Sequence, residues 1–356
     1  MTKSQHVYFD GKIDYKIRSG GLLQSKVEIL NLHFCDSHDL HLVGNQLEWP
    51  PLIWLKHEQH KIGKMKQINI ICYKGNLVML KNICEKLFNG VEINYYNYNL
   101  GRTHWYLGDS LSRLNILSKN VTKNLSHKIS IGTMRLNRYL LYKFFLKNNI
   151  GELYYPSLTD TSLKTFENQI IKTTRLRESH CKLFHAKRLF QDSKSLSQKT
   201  FNESYVKILQ SCYINVVSTI MYPNIWTQCG DEKLFDTILC KTIPLIIGSS
   251  AKANLEMMDS LGFRPYKGLI LENDNKLNHL ERYSSLLYDN LHFLSNMENL
   301  KELYESNIDV IEHNFKVLVD TDWEKQHEKQ FNMLPNCIKE NTGKYSPPES
   351  NLPVII

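Results

Sequence analysis

Hydrophobic stretches of strand length alternate with amphipathic stretches of helix length from residue 66 onward. The apolar runs Gln67–Tyr73 and Val91–Tyr96 predict buried strands, and Leu77–Leu87 between them predicts a helix. A strand, a helix and a strand joined by short turns form a βαβ unit, which implies a parallel sheet. Residues 1–66 show no clear period up to the break at Trp49-Pro50-Pro51, so no element is predicted there.

A second series of strands and helices follows the polar tract Leu111–Asn124. Its strands are predicted at Lys128–Gly132, Tyr213–Ser218 and Ile243–Ile247, and its helices at Leu136–Lys147, Tyr205–Gln210, Glu232–Cys240 and Ala251–Leu261, with two amphipathic helices between Leu277 and Gln330. Two such series predict an α/β chain with two Rossmann-like domains facing a cleft. The expected domains are residues 1–125 and 126–335, followed by a tail at 336–356.

Composition agrees with a globular chain large enough for two cores. The chain has 356 residues, of which 42% are hydrophobic and 22% charged, and this excludes fibrous and disordered classes. The amino terminus lacks an export signal, and the apolar stretch Ile243–Gly248 is far shorter than the ~20 residues that span a bilayer. We therefore expect a cytoplasmic protein (host cytoplasm, if viral) with no membrane partner. The eight cysteines show no zinc-like spacing, so reduced thiols and no metal site are expected.

The formal net charge of +8 is concentrated in one segment of the chain. Residues 127–200 contain 14 lysines and arginines against five acids, which is a net +9. Such a segment attracts phosphate, either that of a nucleotide or that of a nucleic-acid backbone, and the alternative is a solvated basic face. Its densest cluster of basic side chains is Arg175, Arg177, Lys182, Lys187 and Arg188.

The segment from Gly230 to Ser250 carries the most informative chemistry. It predicts a loop, a helix that opens with Asp231-Glu232-Lys233, and a buried strand led by Pro244. The first turn of a helix favours anions, so the lysine there can meet a diphosphate while the glutamate binds ribose hydroxyls. Gly248 and Ser249 follow the strand, at the edge where open α/β sheets bind ligands and where a glycine allows close approach.

This segment resembles a family of enzymes. The Glu232-Lys233 pair, the apolar helix and Ile243-Pro-Leu-Ile-Ile-Gly-Ser249 resemble the donor-binding motif of α1,3-fucosyltransferases and exostosin-like glycosyltransferases. A group of phage-encoded glycosyltransferases is more similar still, because its pattern continues into Leu261-Gly262-Phe263 and a helix with Glu281-Arg282. The resemblance covers about residues 127–297. It implies the GT-B fold, with the acceptor side in the first domain and a nucleotide-sugar site in the second.

The resemblance also implies roles for individual residues. Glu232 would bind the nucleotide ribose and Lys233 the phosphates, whereas Asp231 departs from the threonine that the family usually has. The phage group has an arginine after the first strand of this half, which implies that Arg138 reaches the donor diphosphate. An arginine can bind phosphate through two hydrogen bonds, and a helix start adds a favourable dipole. The alternative for Arg138 is a surface position on an amphipathic helix.

The residue that deprotonates the acceptor is not singled out by the sequence. An inverting transferase needs a carboxylate or an imidazole for this step, and in GT-B enzymes it usually comes from the amino-terminal domain. Eligible residues are Asp36, His38, Asp39, His104 and Asp109, with Asp36, His38 and Asp109 as the leading candidates.

The sequence thus predicts a glycosyltransferase that moves a sugar from a nucleotide donor to an acceptor hydroxyl. The basic segment favours a hydroxymethylated base in double-stranded DNA as acceptor. The alternatives are a surface-glycan precursor, or a nucleic-acid-binding protein without catalysis. No cofactor is expected beyond the sugar nucleotide and no metal is required, because Lys233, Arg138 and helix amino termini would neutralise the leaving diphosphate.

Overall fold

The computed structural model describes the strands of both halves and most of the helices around them. The described residues are 4–9, 23, 26–34, 41–43, 46–48, 50–73, 77–130, 141, 144, 148, 152–154, 198–218, 230–247, 249–271, 285–336 and 338–339.

The amino-terminal half is built on a four-stranded parallel sheet. Its strands are β1 (Ser4–Phe9), β2 (Ile29–Phe34), β3 (His41–Val43), β4 (Gln46–Glu48), β5 (Gln67–Cys72) and β6 (Glu92–Asn97), and its helices are α1 (Pro50–His57), α2 (Gln59–Ile62), α3 (Leu77–Leu87) and α4 (Leu100–Leu111). The sheet order is β1-β2-β5-β6, while β3 and β4 pair antiparallel as a separate hairpin. Parallel strands need crossover connections, and α3 supplies the one between β5 and β6.

One face of this sheet forms an apolar core with helices α1 to α3. Leu32 of β2 lies in register between Val7 and Ile70, and all three are fully buried. Leu55, Leu80 and other helix residues pack onto this layer. Burial of such side chains contributes roughly 1.5–3 kcal/mol each, which makes this face the main source of stability in the half.

The opposite face of the sheet carries a row of polar side chains across all four strands. His6, Asn31, Asn69 and Asn94 occupy one register position, and each is hydrogen-bonded to the next. The Asn31 amide donates to His6 Nε2 at 3.2 Å, and the Asn69 amide donates to the Asn31 carbonyl oxygen at 2.7 Å. Asn31 and Asn69, in the middle of the row, are buried, and because the amides satisfy one another they avoid the usual penalty for lone polar groups.

The carboxyl-terminal half is built on a second parallel sheet. Its strands are β7 (Leu125–Ser130), β8 (Glu152–Tyr154), β9 (Cys212–Ser218) and β10 (Ile243–Ile247), in the order β10-β9-β7-β8. Its helices are α5 (Gln198–Ser211), α6 (Glu232–Leu239), α7 (Ala251–Ser260), α8 (Leu291–Leu294), α9 (Met297–Glu305), α10 (Ile308–Asp320) and α11 (Trp323–Asn332). Pro244 lies in β10 at the sheet edge, where a missing N–H is tolerated.

Two apolar clusters hold this half together and connect it to the first. One cluster joins β9 and β10 to α9 and α10 through Val216, Leu245, Leu300 and Ile311. The other brings together α4, α6, α7, α10 and α11; its members are Leu100, Leu107, Val217, Leu234, Phe235, Ile238, Leu239, Met257, Met258, Leu261, Phe263, Leu318 and Trp323. Helix α4 belongs to the amino-terminal half and also to this second cluster. Packed apolar side chains therefore connect the two halves.

The last helix returns to the first sheet. Phe331, Leu334 and Ile338 pack against aromatic residues at the carboxyl end of that sheet, including Tyr8 and Tyr73. Among the residues that the structure describes, no helix has both the length and the apolar character that crossing a bilayer needs.

The observed elements confirm part of the predicted pattern and correct the rest. The helix at Leu77–Leu87 and the strand at Ile243–Ile247 have the predicted bounds. No element was assigned from the sequence in residues 1–66, where β1 to β4, α1 and α2 lie. The predicted break at Pro50 is instead the start of α1, because proline fits the first helical turn. Four helices, not two, occupy the stretch from Leu291 to Asn332.

Candidate functional site

The amino termini of two helices mark the candidate site. Helix α6 precedes the edge strand β10 and α7 follows it, so both helices begin at the carboxyl edge of the second sheet. Helix amino termini present backbone N–H groups and the positive end of the helix dipole, and both favour an anion. This edge is also where open parallel sheets bind ligands.

Glu232 and Lys233 stand in the first turn of α6 and form an ion pair with each other. Their side chains are 32% and 24% exposed, so both remain within reach of a ligand from solvent. Asp231, the N-cap residue before them, is 4% exposed, and no capping hydrogen bond from its side chain to the helix is present. The turn therefore offers one accessible cation and one accessible carboxylate beside a helix amino terminus.

A chain of hydrogen bonds from β9 fixes the first turn of α6. The Thr237 hydroxyl donates to the Lys233 carbonyl oxygen at 2.6 Å and accepts a hydrogen bond from the Asn215 amide, also at 2.6 Å. Asn215 and Thr237 are both buried. These hydrogen bonds hold the backbone of Lys233 in place relative to β9.

The turn before α7 is fixed in a similar way. Ser250 caps the helix by accepting from the Ala253 backbone N–H at 3.1 Å. The Asn254 amide donates to the Ser249 hydroxyl at 2.7 Å, and all three side chains, of Ser249, Ser250 and Asn254, are buried. Ser249 thus serves the local packing of the turn as well as standing at the strand end.

Helix α4 of the first half touches the loop that leads into α6. A Cβ atom on Gly230 would lie 3.0 Å from the Thr103 hydroxyl oxygen and 2.9 Å from Met257 Sδ, so this position has no room for a side chain. Thr103 is fully buried, and within the described part of the chain its hydroxyl has no hydrogen-bond partner. A buried polar group without a partner is uncommon in folded proteins.

A buried ion pair joins the end of α4 to α6. Arg113 donates from Nη1 to Asp236 at 2.9 Å and from Nη2 to Asp109 at 2.9 Å. Burial raises the pKa of Asp236 to about 6, while the neighbouring Arg113 and a hydrogen bond from Ser110 act in the opposite direction. The Ser110 hydroxyl also donates to the Glu232 carbonyl oxygen at 3.2 Å, so α4 is fixed to the same turn that carries the Glu232–Lys233 pair.

Three aromatic side chains are stacked where α4 meets α11. The His104 ring lies 4.8 Å from the His327 ring at an interplanar angle of 13°, and the His327 ring stacks on Tyr98 in turn. The Tyr98 hydroxyl is 2.7 Å from His327 Nε2. Burial lowers the pKa of His327 to about 4, with a further contribution from His104. Both histidines are therefore neutral at pH 7.

The structure brings together some of the residues that the sequence singled out. Glu232, Lys233 and Ser249 lie at the same sheet edge, and Asp109 lies on α4 in an ion pair with Arg113. The candidates Asp36, His38, Asp39, Arg138 and Gly248, and the basic cluster Arg175, Arg177, Lys182, Lys187 and Arg188, lie outside the described residues.

Several residues of the site were not predicted. Thr103, Arg113, Asn215 and His327 are single polar residues in otherwise ordinary stretches, and only the packing of α4 against α6 and α11 gives them a place. A pattern along the chain holds no signal for such contacts, because the partners are more than 100 residues apart in most cases.

A protein-bound metal ion needs several ligands close together, usually histidine, cysteine or carboxylate side chains. Among the described residues no group of three or more histidine, cysteine or carboxylate side chains could hold a metal ion. A D-x-D triplet, the sequence that holds a divalent ion in GT-A enzymes, does occur at Asp320-Thr321-Asp322. Here it marks a helix boundary, since Asp320 ends α10 and Asp322 caps α11 by accepting from the Lys325 N–H at 3.0 Å.

Several solved structures of other proteins are similar to this chain. No family model and no curated protein matches the sequence. The crystal structure of a GtfA/B complex is 10% identical, with a TM-score of 0.36, over 85% of this chain and 52% of that one. A mutant of phage T4 BGT in complex with UDP-glucose is 11% identical, with a TM-score of 0.32, over 89% and 73%. The chain spans about half the length of the first. Similarities at this TM-score do not define a function, which depends on the side chains described above.

Proposed function

We propose that this chain is a glycosyltransferase of the GT-B type, which moves a sugar from a nucleotide-sugar donor to an acceptor hydroxyl. The observation that carries the proposal is the accessible Glu232–Lys233 pair in the first turn of α6, at the carboxyl edge of a parallel sheet. This is the pair on which the resemblance to donor-binding motifs rests. The contact between Gly230 and Thr103 adds support, because it brings an element of the first half against the donor turn.

In this proposal the two charges act on different parts of the donor. The Glu232 carboxylate accepts hydrogen bonds from the ribose hydroxyls, and the Lys233 ammonium pairs with the diphosphate. Each side chain neutralises the other in the free protein. Donor binding replaces that contact by contacts to the ligand, so no unpaired charge is left in a half-buried place.

Lys233 also contributes to the chemical step. When the bond between the sugar and the phosphate breaks, negative charge grows on the leaving diphosphate. A fixed ammonium and the N–H groups of a helix start stabilise that charge more strongly in the transition state than in the ground state. Arg138, Gly248 and Ser249 are proposed to complete the diphosphate and sugar contacts.

The acceptor in this proposal is a hydroxymethylated base in double-stranded DNA. It is supported by the net +9 of residues 127–200, which suits a polyanion. A surface-glycan precursor is the second candidate, and a nucleic-acid-binding protein without catalysis is the third. In the DNA proposal the first domain, residues 1–125, contributes the acceptor side and residues 126–335 the donor side.

Thermal protection by nucleotides separates the transferase from a pure nucleic-acid binder. Free UDP or GDP at 100 times its dissociation constant should stabilise a transferase by about 2.7 kcal/mol, which raises Tm by several degrees. A protein that only binds nucleic acid gains nothing from either nucleotide. Failure of UDP, GDP and their hexose conjugates to shift Tm would contradict the proposal.

A further inference from the structure

We propose that His104 is the catalytic base of the transferase, which takes the proton of the acceptor hydroxyl as that oxygen attacks the donor sugar. This rests on the proposed function. It deepens that function by assigning the one role that the sequence left open among five residues. The assignment depends on where α4 lies and on what surrounds the His104 ring.

Thr103 is in contact with Gly230, the residue that leads into the donor turn Asp231-Glu232-Lys233. His104 is the next residue of α4, and consecutive Cα atoms are about 3.8 Å apart. His104 therefore lies one residue from the side chain that packs against the donor loop, while its own ring stacks on His327 of α11. It also belongs to the amino-terminal half, from which the acceptor would be presented.

The hydrogen bonding of the His104 ring bears on whether it can act as a base. Within the described part of the chain, His104 Nε2 is buried and has no hydrogen-bond partner. The ring is held instead by stacking on His327, whose Nε2 is 2.7 Å from the Tyr98 hydroxyl. A histidine that only filled space in this contact would be expected to satisfy its polar nitrogen. A base needs a ring fixed in position and a nitrogen that no other group occupies, and within the described part of the chain His104 has both properties.

The protonation state of the His104 ring also bears on whether it can act as a base. Burial lowers the pKa of His104, and the nearby Glu324 carboxylate acts in the opposite direction with a smaller effect. His327, the other titratable group against the ring, is itself neutral at pH 7. His104 is then neutral as well, so one ring nitrogen carries a lone pair that can accept a proton.

The rival on the same helix is Asp109. Its carboxylate is 2.9 Å from Arg113 Nη2, so it serves the ion-pair network that fixes α4 to α6. It stands five residues farther along the helix than His104.

The step balances as a displacement. The acceptor O–H bond breaks, and its proton moves to the imidazole of His104. The oxygen forms a bond to the anomeric carbon of the sugar, and the bond from that carbon to the phosphate oxygen breaks. The nucleoside diphosphate leaves with the electron pair beside Lys233, and the imidazolium later returns its proton to solvent.

The test compares His104→Ala with wild type on a panel of UDP- and GDP-hexoses, with water as the acceptor and release of UDP or GDP as the readout. Loss of a general base lowers the rate by roughly 10²- to 10⁴-fold. We expect that loss with donor affinity changed less than twofold, and we expect added imidazole to restore part of the rate. Wild type should lose rate as pH falls through the lowered pKa of His104, and His104→Ala should lack this acidic limb.

Controls separate catalysis from folding and from the proposed function itself. His104→Gln keeps a side chain of similar size and should show the same loss, whereas His60→Gln, at an exposed position on α2, should leave the rate unchanged. Asp109→Asn should lose less than tenfold. If His104→Ala releases nucleotide within threefold of wild type, or if Asp109→Asn abolishes the acidic limb instead, the assignment is wrong. If wild type binds no nucleotide at all, the glycosyltransferase proposal fails and takes this one with it.

Discussion

Arg113 and Asp236 form a buried ion pair, with Nη1 and Oδ1 2.9 Å apart, which joins the end of α4 to the helix that carries the donor motif. Asp236 is 2% exposed, and the same guanidinium reaches the Asp109 carboxylate and its backbone oxygen. The pair couples the amino-terminal half of the chain to the turn that bears Glu232 and Lys233. Removing this ion pair should therefore change the stability of the fold more than it changes the catalytic rate.

We predict that Arg113→Leu lowers the free energy of unfolding by about 3–5 kcal/mol at pH 8, since it leaves a buried carboxylate without a counter-charge. Urea denaturation measures the loss. The double variant Arg113→Leu/Asp236→Asn should recover most of it. At pH 5 the single variant should lose less, because burial raises the pKa of Asp236 to about 6 and the side chain is then protonated. Equal losses in the single and double variants would show that the arginine acts through packing alone.

Thr103 offers a test of what a buried hydroxyl without a partner costs in stability. Its buried hydroxyl has no partner in the described part of the chain. Thr103→Val keeps the shape and removes that group, so we predict a gain of about 1–2 kcal/mol in the free energy of unfolding. We also predict weaker donor binding. A loss of stability in Thr103→Val, measured by urea denaturation, would mean that the hydroxyl is satisfied in the folded protein.

His33 should make the fold sensitive to acid. Burial lowers the pKa of His33 to about 3, with a smaller contribution from His6, whereas an unfolded histidine titrates near its ordinary value of 6.5. Below pH 6.5 the unfolded chain takes up a proton that the native state refuses. Stability is therefore fully present above pH 6.5 and is lost as pH falls, by up to about 1.4 kcal/mol per unit for this group.

The measurement compares urea denaturation of wild type and His33→Gln at pH 7 and pH 5. His33→Gln should lose roughly 2 kcal/mol less than wild type between these two values. The comparison isolates His33, because Asp236 changes stability in the opposite direction over part of the same range. Identical losses in both proteins would show that His33 is already protonated in the native state.

The sequence predicted those parts of the fold whose side chains follow one period. The strand at Ile243–Ile247 and the helix at Leu77–Leu87 are apolar runs of ordinary length, and both were found as predicted. Strands β1 and β2 were missed because His6, Asn31 and His33 interrupt the apolar pattern. His6 and Asn31 belong to the polar row, whose side chains are hydrogen-bonded to one another only when the strands are paired. The registers that satisfy such groups are not visible in one strand.

The candidate site likewise contains residues that the sequence could single out and residues that it could not. Glu232 and Lys233 could be singled out because they occupy a fixed place relative to a helix start and a strand end. Thr103, Arg113 and His104 gain their meaning from the packing of α4 against α6 and α11, which brings together residues more than 100 positions apart. That packing depends on apolar side chains shared by several helices, and no local pattern encodes it.

The DNA acceptor makes a prediction about salt. If duplex DNA lies along the basic segment, log K for hydroxymethylated duplex should fall with log salt, by about 0.9 per phosphate contact. Neutralising Arg175 and Arg177 together should flatten that slope by about two and leave the affinity for UDP- or GDP-sugars nearly unchanged. Fluorescence anisotropy over a salt series gives both values. A glycan acceptor has no phosphate backbone, so an almost flat salt profile would favour it.

The central claim is that Lys233, at the amino terminus of α6, binds the diphosphate of a sugar nucleotide. Isothermal titration of UDP- and GDP-hexoses into Lys233→Met tests it, with Lys241→Met as the matched control, since Lys241 forms an ion pair of similar exposure with Glu312 in the same half. Loss of a charged hydrogen bond costs about 1.5–3 kcal/mol, so Kd should rise roughly 10- to 150-fold in Lys233→Met. Lys241→Met should bind the donor as wild type does. If Lys233→Met binds with unchanged affinity while it remains folded, the donor does not occupy this turn and the account is wrong.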